Sequence, residues 1–214
     1  MDFVQKVYWE DKPLILTGNR DAFIQKHPEA AAYPAFTGAS AEHYHLALQQ
    51  MEQNDTQGAI ITDNSPALLQ ETLQHLYQPV TAGGGIVLNE AGQVLLIYRR
   101  GKWDLPKGKQ DEGEDIVTCA LREVKEETGL QEVRIERKAG ETWHIYAQDG
   151  KKLLKHTTWF LMHANGAEQL TPQQEEDIEA ARWVDRNALT PFIKQAYKAV
   201  HEILQKTIPG ELSL

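Results

Sequence analysis

Three carboxylates of one predicted helix are spaced so that a divalent cation could bind between them. Glu123, Glu126 and Glu127 stand at positions i, i+3 and i+4, which places their side chains on one helical face. Like charges at this spacing destabilise a helix, and anions near its C-terminus oppose the helix dipole. Stability therefore gives no reason for the placement, whereas hard oxygen ligands on a rigid element suit Mg²⁺. A solvated acidic face is the alternative that these three residues leave open.

The residues around these carboxylates favour a metal site over a solvated acidic face. Residues 108–130 read GKQDEGEDIVTCALREVKEETGL and follow the pattern G-x5-E-x7-R-E-U-x-E-E-x-G-U, in which U is a bulky aliphatic residue. This pattern resembles the signature of the Nudix hydrolases, with agreement at every specified position. The resemblance covers about residues 80–205. It implies an α+β fold, with a Nudix-type α/β/α sandwich built on a mixed sheet.

The resemblance also implies a metal site. The metal-binding carboxylates would be the three box glutamates, Glu123, Glu126 and Glu127, and the ion would be Mg²⁺ or Mn²⁺. Glu123 or Glu126 would orient or deprotonate the attacking water. The backbone carbonyl of Lys107 would be a further ligand. A glutamate outside the box, Glu175 or Glu176, would complete the site, although the run from 173 to 177 also suits a solvated loop.

Four other box residues have structural roles in the family. Arg122 would pair with Glu114 and fasten the preceding loop to the helix, a role that suits a bidentate arginine–carboxylate pair. Gly108 and Gly129 would occupy backbone positions where a side chain would clash.

A cluster of basic residues leads into the box. It comprises Arg99, Arg100, Lys102, Lys107 and Lys109. These cations predict a phosphate clamp, in which we expect two or three members to be ordinary surface charges. The run Leu-Pro-Lys-Gly-Lys at 105–109 resembles the Nudix subgroup that acts on diadenosine polyphosphates and diphosphoinositol polyphosphates. Members acting on oxidised nucleoside triphosphates more often have Gly-Gly at 107–108.

The chemistry implied is hydrolysis of a phosphoanhydride bond in a nucleoside diphosphate linked to another moiety, such as a dinucleoside polyphosphate or a related polyphosphate. The alternative is a non-catalytic nucleotide-sensing module that acts through the N-terminal region. Such modules usually lose box residues and carry a DNA-binding segment, whereas this box is intact and residues 1–78 hold 10 acidic but only 4 basic side chains.

Local patterns predict the elements that position the box. A helix over 115–128 has Asp115 as its N-cap and Gly129 as its left-handed end. Strands are predicted over 85–88, 94–98, 133–137, 141–147 and 153–162, and a last amphipathic helix over 190–205. These elements assign residues 79–214 to a Nudix hydrolase domain.

The sequence pattern of residues 1–78 predicts a small α/β domain whose role we do not recognise. A hairpin over 3–16, a helix over 41–51, a strand over 58–62 and a helix opening at Ser65 and Pro66 are expected. This domain would shape the pocket edge or form the subunit interface of a homodimer.

Length, charge and cysteine content indicate the cellular compartment and the classes of partner. The chain has 214 residues, a net charge of −9 and one cysteine, which suits a reducing compartment. No apolar run reaches ~18 residues and no signal peptide is visible, so we expect a cytoplasmic protein without a membrane partner. The acidic charge argues against a nucleic-acid partner.

Overall fold

The structure is a computed structural model that describes residues 3–53 and 56–208. The chain divides into two compact units. The first comprises the chain up to Pro79 together with Trp143–Lys155, and the second comprises Val80–Thr142 and the chain from His156 onwards. Across the described residues, none of the helices combines the length and the apolar character needed to cross a lipid bilayer.

The first unit is the α/β structure expected for the N-terminal region. Its elements are β1 (Val4–Trp9), β2 (Lys12–Thr17), α1 (Arg20–Lys26), β3 (Ala35–Thr37), α2 (Ala41–Gln53), β4 (Ala59–Thr62) and α3 (Pro66–Leu76). β1 and β2 form the predicted antiparallel hairpin, and β4 pairs in parallel with both β2 and β3. The Ser65 side chain accepts a hydrogen bond from the amide of Leu68 and caps α3 as predicted.

The second unit contains the sheet that carries the box. Its elements are β5 (Gln78–Leu88), β6 (Val94–Arg99), β7 (Lys102–Asp104), β8 (Lys107–Lys109), α4 (Ile116–Thr128), β9 (Val133–Gln148), β10 (Lys151–Ala164), β11 (Ile178–Val184), α5 (Thr190–Ile193) and α6 (Lys198–Thr207). The strand order is β11-β6-β5-β10-β9. The short strands β7 and β8 pair antiparallel with β6 and β5.

Helices cover both faces of this sheet. Successive residues of a strand point to opposite faces. Ile86 and Leu96 therefore pack in a buried cluster with residues of α5 and α6, whereas Val87 and Leu95 pack with residues of α4. This arrangement confirms the predicted α+β fold with a Nudix-type α/β/α sandwich.

The caps of α4 are those that the sequence predicts. The Asp115 side chain accepts hydrogen bonds from the amides of Val117 and Thr118, and Gly129 adopts the left-handed conformation with φ of 79°. α4 is thereby fixed at both ends, which matters because it carries all three box glutamates.

Two element predictions were wrong. Residues 133–137 and 141–147 belong to one strand, β9. Gly140, which interrupts the predicted pattern, lies inside the strand at a close approach to α6, where a Cβ would be 2.8 Å from Ile203 Cδ1. The helix predicted over 190–205 is broken into α5 and α6. The carbonyl of Gln195, between them, accepts a hydrogen bond from the amide of Trp103 at 3.2 Å and so leaves the helical pattern.

The tip of the β9–β10 hairpin belongs to the first unit. β1 pairs in parallel with β9, and Val7 lies opposite Trp143. Ile145 and Leu154 are buried in one cluster with Val7 and Leu14. The sequence-based division assigns this tip to the second domain, whereas the compact unit includes it in the first.

Candidate active site

Arg122 fastens the loop of the box to α4. Its Nε donates to Glu114 Oε1 and its Nη2 donates to Glu114 Oε2, both at 2.9 Å. Nη2 also donates to the carbonyl of Lys109 at 3.0 Å. The predicted pair is therefore present in bidentate form. Its hydrogen bonds hold the pKa of Glu114 below the usual value.

The same guanidinium contacts two of the box glutamates. Arg122 Nη1 donates to Glu123 Oε1 at 2.8 Å and to Glu126 Oε2 at 2.9 Å. Burial raises the pKa of Glu123, and Arg122 opposes this shift. Glu126 is more accessible, because 48 % of its side chain is exposed. Glu123 and Glu126 thus share one counter-ion at the surface of α4.

Glu127 points to a different set of partners. Its side chain is only 1 % exposed, its Oε1 accepts from Arg99 Nη1 at 3.0 Å, and its Oε2 accepts from the amide of Lys107 at 2.9 Å. Burial raises the pKa of Glu127 to about 7, while the positive charges of Lys107 and Arg99 oppose that rise.

Of the two glutamates proposed from outside the box, Glu176 lies beside these residues. Arg99 Nη2 is 3.6 Å from Glu176 Oε2, and 53 % of the Glu176 side chain is exposed. The loop before it is held to the end of α4, since the amide of Thr171 donates to the carbonyl of Thr128 at 2.8 Å. Arg99 therefore links the buried end of the box to the Glu176 loop.

The box glycines stand where side chains have no room. A Cβ at Gly108 would collide with the Glu123 carboxylate, and a Cβ at Gly129 would lie 2.8 Å from Thr171 Cβ. Gly108 thus lets the loop pass directly over a box glutamate, and Gly129 lets the 171–177 loop approach α4.

The five clamp candidates have separate environments. Arg99 binds Glu127, Arg100 pairs with Asp177 at 3.1 Å, and Lys107 Nζ is 2.5 Å from Asp104 Oδ2. Lys102 lies over the ring of Tyr197 at 4.3 Å, and Lys109 is exposed. The structure therefore holds Arg99, Arg100 and Lys107 in ion pairs.

Sequence reasoning missed two acidic partners, Asp104 and Asp177. Asp104 carried a usable signal, because it stands three residues before Lys107 and could pair with it locally. Asp177 carried none, because it is 77 residues from Arg100 in the chain. Only the fold brings that pair together.

The donor set fits a hard divalent cation, although its carboxylates point to guanidinium groups. Among the described residues, no three His, Cys, Asp or Glu side chains are arranged to hold a metal ion. Glu123, Glu126 and Glu127 instead contact Arg122 or Arg99. The fit rests on the chemistry of the donors: three carboxylates on one helical face are the hard oxygen ligands that Mg²⁺ and Mn²⁺ take.

Comparisons with known proteins identify the family of this chain. The NUDIX domain family matches residues 78–206. The chain therefore belongs to the Nudix family and is a hydrolase that acts on pyrophosphate bonds, as the sequence predicts.

Several known proteins are similar to this chain. An RNA pyrophosphohydrolase of Wolbachia pipientis is 27% identical over 155 residues, which are 64% of this chain and 94% of the relative. An NAD-capped RNA hydrolase of Pseudomonas aeruginosa is 28% identical over 123 residues, 55% of this chain and 41% of that protein. The solved Ap4A hydrolase of C. elegans shares 26% identity, covers 60% of this chain and 96% of its own, and has a TM-score of 0.45.

Proposed function

We propose that this protein is a metal-dependent pyrophosphohydrolase whose substrate is a nucleoside diphosphate linked to another moiety. The observation that carries the proposal is the placement of Glu127. A carboxylate that is 1 % exposed in the last turn of α4 is opposed by both burial and the helix dipole. A divalent cation bound to Glu127 would offset both of these costs and would explain why a carboxylate stands at this position.

The box glutamates and Glu176 would hold Mg²⁺ or Mn²⁺ in this proposal. Such an ion neutralises charge on phosphoryl oxygens and lowers the pKa of bound water. Glu126, which is the most accessible of the three on α4, would orient the attacking water or accept its proton, with Glu123 as the alternative. Arg122 and Glu114 fix the loop that places Gly108 over Glu123.

Two observations bear on the substrate class, and they point to different substrates. The Leu-Pro-Lys-Gly-Lys run at 105–109 resembles members that act on dinucleoside and inositol polyphosphates. Relatives named RNA pyrophosphohydrolase and NAD-capped RNA hydrolase support hydrolysis of a pyrophosphate bond, although their names give RNA as the substrate. A small dinucleoside polyphosphate is the proposed substrate, since the net charge of −9 disfavours a long polyanion. Residues 1–78 supply no metal ligand in this proposal.

A phosphate-release screen tests the proposal. Nucleotide sugars, dinucleoside polyphosphates, inositol pyrophosphates and 5′-triphosphorylated or NAD-capped RNA are each incubated with Mg²⁺ or Mn²⁺ and a coupled phosphatase. We expect the highest kcat/KM for a dinucleoside polyphosphate. In excess EDTA, we expect no phosphate release from any substrate. Turnover that persists in EDTA would contradict metal dependence. A higher kcat/KM for an RNA than for a dinucleoside polyphosphate would contradict the proposed substrate.

A further inference from the structure

One arginine joins two carboxylates that come from distant parts of the second unit. Arg99 ends β6, and its side chain is 15 % exposed. Its Nη1 is 3.0 Å from Glu127 Oε1 on α4, and its Nη2 is 3.6 Å from Glu176 Oε2 in the loop before β11. The guanidinium therefore lies between the buried box glutamate and the glutamate from outside the box.

Burial explains why Glu127 needs this partner. A charged carboxylate removed from water is costly unless a cation and hydrogen bonds compensate for it. The amide of Lys107 satisfies Oε2, but the ammonium of Lys107 is held by Asp104 at 2.5 Å. The side-chain cation in direct contact with Oε1 is Arg99.

We propose that Arg99 is the internal counter-ion of Glu127 and that a divalent cation must displace its guanidinium to bind there. This inference rests on the proposed function, in which Glu127 is a metal ligand. A guanidinium and a metal ion that compete for one carboxylate oxygen repel each other at short range. Arg99 is thus a positioning residue, which holds Glu127 and Glu176 until the ion exchanges with it.

The neighbouring arginine provides a matched control. Arg100 carries the same charge one residue later, but it pairs with Asp177 at 3.1 Å and is 65 % exposed. Removing either arginine changes the net charge equally. A general electrostatic effect would therefore appear in both variants, whereas displacement from Glu127 would appear only at Arg99.

Manganese binding measures the exchange without any substrate. Free Mn²⁺ is followed by electron paramagnetic resonance at pH 8.5 for the wild type, Arg99→Gln, Arg100→Gln and Glu127→Gln. We expect Arg99→Gln to bind Mn²⁺ roughly 10-fold more tightly, because one charge-assisted contact no longer competes. Arg100→Gln should stay within about 2-fold of the wild type. Thermal unfolding should show a larger gain on adding Mn²⁺ for Arg99→Gln than for the wild type.

The outcomes separate this inference from the function on which it rests. Unchanged or weaker Mn²⁺ binding by Arg99→Gln overturns the counter-ion role, provided that Glu127→Gln has lost binding. Wild-type binding by Glu127→Gln instead overturns the metal site itself. If Arg99→Gln does not fold, Arg99→Lys keeps the cation with fewer donors. A gain in affinity for Arg99→Lys relative to Arg100→Lys supports the inference, and no gain contradicts it.

Discussion

Gly108 lies directly against the carboxylate of Glu123, so closely that a single added methyl group would overlap it. The atoms in the way are the far end of a flexible side chain, which can move at little cost to the fold. We therefore expect Gly108→Ala to remain folded but to move the Glu123 carboxylate out of place, with a loss of turnover of at least ~10-fold. Gly18→Ala is the control, because its nearest atom would be 3.7 Å away. Kinetics and circular dichroism check both variants, and full activity in Gly108→Ala would contradict the role of Glu123.

The accessible box glutamate allows a test of the catalytic cluster. Glu126→Gln preserves shape and removes one anionic ligand, so we expect turnover to fall at least ~100-fold. Stability without metal should be equal or higher, because a like charge leaves the helix face. Glu112→Gln, an exposed residue at an unspecified box position, should behave as the wild type. Equal turnover in both variants would show that the cluster is only a solvated acidic face.

The raised pKa of Glu127 predicts a pH-dependent stability of the metal-free protein. A carboxyl with a pKa of about 7 in the folded state and 4.5 in the unfolded state contributes stability below pH 4.5. That contribution is lost as the pH rises through 7, because the folded state then gives up a proton that the unfolded state has already lost. Between pH 5 and pH 8, Glu127→Gln should gain about 2.5 kcal/mol of unfolding free energy relative to the wild type. Urea unfolding in EDTA measures this difference, and a flat profile would contradict the shift.

Parts of this site follow from the sequence and parts do not. The caps of α4 and the pair of Arg122 with Glu114 involve residues close in the chain, so spacing alone predicts them. Contacts of Arg99 with Glu127, 28 residues away, depend on how β6 lies beside α4. The break before α6 likewise depends on a tertiary hydrogen bond from Trp103. Sequence patterns within one helix or turn therefore predict neither the Arg99–Glu127 contact nor the break before α6.

Two buried tyrosines in the first unit form a matched pair for a stability test. Tyr44 donates its hydroxyl hydrogen to the carbonyl of Leu69 at 2.6 Å, whereas the buried hydroxyl of Tyr77 contacts no hydrogen-bond partner among the described residues. Tyr77→Phe should stabilise the protein by about 1 kcal/mol, since an unsatisfied polar group is removed. Tyr44→Phe should destabilise it by a similar amount. Urea denaturation gives both values, and equal effects would contradict the assignment.

The hairpin tip predicts how the protein responds to truncation. A chain that begins at Thr81 lacks the partners of Ile145 and Leu154, which are buried with Val7 and Leu14. We expect this truncated chain to self-associate through the exposed apolar tip, as measured by light scattering. Ile145→Thr with Leu154→Thr should restore a single species. Calorimetric Mn²⁺ binding by that species would support the placement of the metal chemistry in residues 79–214, and its absence from a folded species would contradict it.

The pairing of Val7 with Trp143 also sets an order of events during synthesis on the ribosome. The first unit lacks its complete hairpin tip until residues 80–155 have been translated, which takes roughly 4–15 s at about 5–20 residues per second. Over that interval the nascent N-terminal strands hold apolar side chains that have no permanent cover, the state in which chaperones engage a polypeptide. The first unit therefore completes its structure only after residues 80–142 of the second unit have been made.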